Sequence, residues 1–313
     1  MAKNLINEND LSTEEVVIIF RHAKHFKKLR RKELQRFSEK LKGRRMLLLF
    51  HEPSTRTRLS FEAAGRLLGL ETFVVDSQTS SAVKGEDLVD EAQTFSALGF
   101  DLAVVRHPEN GSIKTFASYF TGSVINAGEG VTAHPTQALV DLFTLWERGL
   151  LRADLKIGIV GDILNSRVAR SNARLLNKFG IIPSFIAPPE FLPKFMQKHE
   201  EIVEVPGELG YRAHVRYSLE PVLPELDAIM MLRIQKERYE TLPMSFADFA
   251  RVCQLNHRRL EKLSPRAIIM HPGPVNRGVE VSDEVFADER CVINEQVRNG
   301  LFVRLSLINY LLE

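Results

Sequence analysis

The chain is short of everything that staples, spans or repeats. Among 313 residues there are two cysteines, Cys253 and Cys291, and one tryptophan. The cysteines form no Cys-x-x-Cys pair and no cluster with histidine, so a zinc site is not expected. Free thiols in a reducing compartment are expected instead. No apolar run approaches the ~18 residues of a membrane-spanning helix. The first residues, MAKNLINENDLSTEEV, lack a basic stretch followed by an apolar one, so no secretory signal is expected and the cytoplasm is the expected compartment. No segment recurs with a period of about 20 to 50 residues, which excludes solenoids and propellers. Neither charge sign is in excess, with 42 Lys and Arg against 40 Asp and Glu. Proteins that bind nucleic acid or membrane surfaces in general carry a large basic surplus, so neither partner is expected. Gly-Lys-Ser/Thr phosphate loops are missing too. IGIVGD, from Ile157, has Gly158 and Gly161 but not the G-x-G-x-x-G of a dinucleotide site, and a strand ending in glycine explains it. No cofactor and no metal are expected.

What is present is an ordinary soluble composition, 44% apolar and 26% charged, on a length that favours two domains. Short apolar runs alternate with amphipathic segments. Strands are expected at Met46–Phe50, in ETFVVD from Glu71, in FDLAVVRH from Phe100 and in SVINAG from Ser123. Helices are expected at Thr55–Leu68, in GEDLVDEAQTFSAL, in SIKTFASYF and from Pro135 to Gly149. The pattern restarts at Leu155 with LKIGIVGD, a helix in SRVARSNARLLNKFG, strands in IIPSFIAP, LDAIMMLR and AIIMHPG, and a last helix in VRNGLFVRLSLINYLL. Strands that are continuously apolar and separated by helices predict an α/β fold: two domains, each a mostly parallel sheet flanked by helices. The helix from Pro135 to Gly149 is the expected connector.

The informative polar residues fall just after strands, where open α/β sheets bind ligands. They are Ser54 to Arg58, Arg106, His134, Arg167, Arg233 and His271 to Pro274. PSTRTR occupies a strand-to-helix corner. A helix start offers unpaired N–H groups and partial positive charge, and hydroxyls and guanidinium forks add donors suited to phosphate. The bland alternative is that Ser54 merely caps the helix while Arg56 and Arg58 are solvated. Arg58 lies two positions beyond Arg56 and cannot share its face, so a structural salt bridge is expected for it.

FHEPSTRTRLSFEAA resembles the signature of the aspartate/ornithine carbamoyltransferase family. SSAVKGEDLVDEAQTF, VVRHPENG, INAGEGVTAHPTQALVDLFTL, IGIVGDILNSRVARSN, MMLRIQKERY and IMHPGPVNRG follow in the family's order, and the match is closest to its aspartate branch. The resemblance implies a carbamoyl phosphate-binding domain at 1–137, completed by the C-terminal helix 292–313, and an aspartate-binding domain at 138–291. It implies that Ser54, Thr55, Arg56 and Thr57 bind the phosphate of carbamoyl phosphate, with Thr57 also reaching the carbamoyl oxygen. Arg106 would bind phosphate and polarise the carbonyl, His134 would donate to the same oxygen, and Gln137 would contact the carbamoyl amine. Ser80 and Lys84 would reach into the neighbouring subunit's site, making a homotrimer the minimal unit and Lys84 an aspartate ligand and catalytic group. Arg167, Arg233 and Gln235 would hold aspartate, and backbone groups of Gly273 and Pro274 would contact substrate. The family often has leucine where this chain has Gly273. His271 is expected to be structural.

The reaction so implied is acyl transfer from carbamoyl phosphate to the amine of L-aspartate, in pyrimidine biosynthesis. The oxyanion would be held by Thr57, Arg106 and His134, each such donor contributing on the order of 3 to 4 kcal/mol. No Ser–His–Asp or Cys–His set is apparent, so no covalent intermediate is expected, and the departing phosphate is the expected proton acceptor. An ornithine-specific enzyme and a non-catalytic family scaffold are the alternatives. Regulatory chains or dihydroorotase remain open as further partners.

Overall fold

The computed structural model describes residues 3–39, 41–76, 87–198 and 200–313. The chain divides into two compact units, Met1–Phe143 with Arg298–Glu313, and Thr144–Val297. The division falls a few residues beyond the expected limits at both crossings.

In the first unit, strands β1 (Arg45–Phe50), β2 (Glu71–Asp76), β3 (Leu102–His107) and β4 (Ser123–Glu129) form a parallel sheet in the order β2-β1-β3-β4. The helices α1 (Thr13–Lys28), α2 (Arg31–Ser38), α3 (Thr55–Leu67), α4 (Leu88–Ala97) and α5 (Ser112–Tyr119) join or flank the strands. β1, β3 and β4 are buried almost throughout, as continuous apolar runs require. β2 departs from that expectation. It is one of the two edge strands, and Phe73 and Val74 are 45% and 42% exposed, whereas the other edge strand, β4, is buried throughout. One core layer gathers Leu47, Leu49, Ala103, Val105, Ile113 and Phe116. Ser12 starts α1 with a capping box shared with Glu15, and Val16, Ile19, Phe20, Ala23 and Phe26 form its buried stripe. The C-terminal helix α10 (Ile293–Leu312) meets that stripe, with the Ser306 hydroxyl donating to the Ile19 carbonyl at 2.8 Å.

In the second unit the order is β10-β9-β5-β6-β8-β7. The strands are β5 (Ile157–Val160), β6 (Ser184–Ile186), β7 (Ile202–Val205), β8 (Tyr211–Arg216), β9 (Ala228–Met231) and β10 (Ile268–Met270). All pairs are parallel except β7 with β8. β7 and β8 alternate in burial where the central strands do not. Helix α6 (Pro135–Glu147) leads in from the first unit, and α7 (Arg167–Lys178) follows β5. Two short helices, α8 (Phe246–Cys253) and α9 (His257–Lys262), precede β10.

Both sheets share one topological feature. In the first, the chain leaves β1 for β2 on one side and returns to place β3 on the other. In the second, β6 lies on one side of β5 and β9 on the other. The loops after β1 and β3, and after β5 and β9, therefore diverge and leave a crevice at each switch point.

Candidate active site

The first switch point holds the PSTRTR corner. β1 ends at Phe50 and α3 begins at Thr55, with Ser54 in extended geometry as the cap residue. The Ser54 side chain accepts no hydrogen bond from the helix start, and α3 has no acidic residue in its first turn. Plain capping is thus not what Ser54 does. The first turn of α3 carries no carboxylate of its own to offset its partial positive charge. Thr57 is buried, Thr55 and Arg56 are exposed, and Ser54 and Arg58 are intermediate.

Arg106 arrives from the neighbouring strand β3, and the His51 N–H donates to its carbonyl at 2.9 Å. Its guanidinium Nε meets the Glu52 carboxylate at 3.1 Å, and Nη1 lies 3.5 Å from the Ser54 hydroxyl. Glu52 was not singled out by sequence reasoning, although it stands two residues before Ser54. The salt bridge expected for Arg58 is not made among the described residues; Arg58 lies on the half-exposed side of α3, where water solvates a guanidinium well. His134 is buried immediately before the first residue of α6, with Nδ1 3.4 Å from the Thr136 hydroxyl. Gln137, one turn into α6, donates from its amide nitrogen to the Asp141 carboxylate at 2.8 Å. Beside this corner the His51 and His107 rings meet at a tilt of 58° with centroids 4.8 Å apart, and His51 Nε2 is 3.1 Å from buried Glu91. Burial, then the charge of His51, holds His107 below the usual histidine range, against the opposing pull of Glu109 and Glu91.

At the second switch point Arg167 opens the helix after β5, Arg233 and Gln235 follow β9, and the buried carboxylate of Asp162 holds Gln235. Asp162 follows β5 and is fully buried. It accepts from the Gln235 N–H at 3.1 Å, the Asn165 N–H at 3.1 Å and the Tyr239 hydroxyl at 2.8 Å. Burial raises its pKa, and these donors pull the other way. Its effect is to tie the loop after β9 to the loop after β5. The Gln235 amide nitrogen donates to the Asn165 carbonyl at 2.8 Å, which turns its Oε1 to the other side. Arg233 forms a two-pronged pair with Glu237, one prong at 3.0 Å. Arg167 opens α7, behind Ser166, whose hydroxyl accepts from Ala169 N–H at 3.0 Å. Arg170 anchors that turn by donating to the carbonyls of Leu164 and Ser166. Sequence reasoning missed Asp162, Glu237 and Arg170. An acidic residue one glycine beyond an apolar strand, as in IGIVGD, is the signal that points to Asp162.

After β10, Gly273 takes a left-handed φ of 68° and is joined to Pro274 by a cis bond. A left-handed residue favours glycine, which fits Gly273 where the family often carries leucine. The buried His271 ring accepts from the Gly273 N–H at Nδ1, at 2.8 Å, so Nε2 bears the proton toward Glu280 at 3.2 Å. His271 therefore shapes this turn. Ser80 and Lys84 lie outside the described residues. Among the described residues no group of three or more His, Cys, Asp or Glu side chains is placed to hold a metal ion, and no helix is long and apolar enough to cross a membrane.

A sequence model of the aspartate/ornithine carbamoyltransferase carbamoyl-P binding domain matches residues 3–147, and one of the Asp/Orn binding domain matches residues 153–311. The chain belongs to the aspartate/ornithine carbamoyltransferase family. A relative within this carbamoyltransferase family, the aspartate carbamoyltransferase catalytic subunit of Desulforudis audaxviator, is 41% identical over 99% of this chain and 97% of its own. That of Salinispora tropica is 40% identical over 100% of this chain and 98% of its own. Among solved structures of the family, the catalytic subunit of M. Jannaschii aspartate transcarbamoylase superposes with a TM-score of 0.82 at 31% identity, covering 99% of this chain and 97% of that one. The Trypanosoma cruzi aspartate transcarbamoylase in complex with carbamoyl phosphate gives a TM-score of 0.81 at 27% identity, covering 98% and 95%.

Proposed function

We propose that this protein is an aspartate carbamoyltransferase. It transfers the carbamoyl group of carbamoyl phosphate to the amine of L-aspartate, giving N-carbamoyl-L-aspartate and phosphate, a step of pyrimidine biosynthesis. The observation that carries this reading is the pairing of two anion-receptive switch points in a chain that is 41% identical, nearly end to end, to a catalytic subunit of that name. One switch point suits a phosphate and the other a dicarboxylate.

In this reading Ser54, Thr55, Arg56 and Thr57 bind the phosphate, through hydroxyls, guanidinium and the N–H groups at the start of α3. Arg106 binds the phosphate and the carbonyl oxygen together, and Glu52 steadies its guanidinium from the other edge. Thr57, Arg106 and His134 stabilise the charge that collects on the carbonyl oxygen as the amine adds. Donors held in place before the reaction need no reorganisation during it, which is why they lower the barrier. Gln137 accepts from the carbamoyl NH2. Arg167 and Arg233 pair with the two carboxylates of aspartate, with Gln235 and backbone groups at Gly273 and Pro274 completing the pocket. Glu237 holds the Arg233 fork in one orientation, so less side-chain freedom is lost on binding. The amine attacks as a neutral nucleophile, the C–O bond to phosphate breaks, and the departing phosphate takes the amine proton.

The protein works as a cytoplasmic homotrimer in this reading, with Ser80 and Lys84 of one subunit completing the site of the next. A steady-state assay with carbamoyl phosphate and either aspartate or ornithine tests the reading. Turnover with aspartate and none with ornithine is expected. Turnover with ornithine, or with neither amino acid, overturns it.

A further inference from the structure

Two buried charges in the first unit have no part in the chemistry above. Asp141, on α6, is fully buried, and Arg304, on α10, is 4% exposed. Burying a charge is costly unless its partners repay the lost hydration, so what each one touches is informative. Asp141 accepts from Gln137 Nε2 at 2.8 Å. A carboxylate can only accept, so it draws the NH2 of Gln137 inward and turns Oε1 outward. Arg304 Nη1 donates to the Ser60 hydroxyl at 2.9 Å, and that hydroxyl donates to the Thr57 carbonyl at 2.9 Å. The guanidinium also lies over the Phe61 ring, 5.2 Å from its centroid. Space for it comes from Gly300, one turn back on α10, where an added Cβ would come within 2.7 Å of Arg304 Nη1. Burial lowers the Arg304 pKa to about 10 while the Asp141 charge opposes the shift, so the guanidinium stays protonated at neutral pH.

We propose that Asp141 and Arg304 are positioning residues that make the site select a carbamoyl group. Asp141 fixes the amide of Gln137 so that an acceptor meets the carbamoyl NH2. Arg304, through Ser60, holds the first turn of α3 and with it Thr57. The proposal rests on the reading that Gln137 and Thr57 contact the donor substrate. Its consequence is a division of labour. The Asp141–Gln137 contact distinguishes carbamoyl phosphate from acetyl phosphate, an isostere with a methyl in place of NH2. The Arg304–Ser60–Thr57 chain serves both donors alike.

The test compares the dissociation constants of carbamoyl phosphate and acetyl phosphate, by calorimetry on the whole enzyme, with urea midpoints as a control. Asn at position 141 offers a donor as well as an acceptor, so it no longer sets the Gln137 amide. Asp141→Asn is expected to weaken carbamoyl phosphate by about tenfold, the size of one hydrogen bond, and acetyl phosphate by less than about twofold. Ser60→Ala and Gly300→Ala are expected to weaken both donors by similar factors. A merely structural role would change the midpoint or the active fraction and leave the carbamoyl-to-acetyl ratio alone. An unchanged ratio in Asp141→Asn overturns the assignment of Asp141, and unchanged affinities in Ser60→Ala overturn that of Arg304. Should Asp141→Asn not fold, Asp141→Glu, which moves the carboxylate by one methylene, is read by the same ratio. A wild-type enzyme that binds neither donor overturns the proposed function along with this inference, whereas one that prefers carbamoyl phosphate with an unmoved ratio in the variant overturns this inference alone.

Discussion

Arg106 meets a carboxylate on one edge and a serine hydroxyl near the other, so its guanidinium is oriented before any substrate arrives. Arg106→Ala is expected to lower turnover by about two to three orders of magnitude, the loss typical of one oxyanion donor, with an unchanged circular dichroism spectrum; near-native turnover would remove Arg106 from the chemistry. His107 gives a prediction of a different kind. Its folded pKa lies below the ordinary 6.5, so the unfolded chain binds a proton near pH 6.5 that the folded chain resists. The contribution is therefore complete above pH 6.5 and is lost as pH falls from 6.5 toward the folded pKa. His107→Gln is expected to flatten the urea midpoint over that range; an equally steep decline in the variant would assign it to other groups. At this scale the sequence displayed residue types and little about pairing. Arg106 and Arg233 stood out because they directly follow apolar runs, and Ser54 because it opens the donor-rich segment a few residues after one. Glu52 with Arg106 and Gln235 with Asp162 were not, since each pair is joined only when distant strands become neighbours.

The helix α3 shows what one element must satisfy at both ends. Its start is left without a side-chain cap or a first-turn carboxylate, and its end turns at Gly69 with φ 81°. A Cβ on Gly69 would lie 2.0 Å from the Ser38 carbonyl oxygen. Gly69→Ala is expected to destabilise the fold by about 1 to 3 kcal/mol through backbone strain, read as a lower urea midpoint with unchanged turnover per folded enzyme. A midpoint equal to wild type would show that the turn relaxes. Most elements of both sheets could be read from the sequence because buried parallel strands are unbroken apolar runs. β7 and β8 could not, because they form an antiparallel pair whose burial alternates, so charged residues interrupt the pattern in EIVEVPGELGYRAHVRY. The edge position of β2 was equally hidden, since ETFVVD reads like any covered strand while Phe73 and Val74 are exposed.

For the whole molecule, the proposed shared site makes a direct prediction. Lys84→Ala and Arg56→Ala should each be inactive alone, and mixed, re-associated chains should recover part of the activity. Failure to recover, with chain exchange verified by mass, would count against sites shared between subunits. Local order along the chain determined much by itself. The alternation of apolar runs and amphipathic segments specified two α/β units, and PSTRTR marked a strand-to-helix corner rich in donors, because periodicity and helix starts act over a few residues. Tertiary structure alone decided which strands are neighbours. The orders β2-β1-β3-β4 and β10-β9-β5-β6-β8-β7 set Arg106 beside Ser54 and Gln235 beside Asp162. The return of α10 brings Arg304 to Ser60. These contacts join residues 52, 73 and 244 positions apart, and only the packing of the assembled fold, in which distant strands and helices become neighbours, selects them.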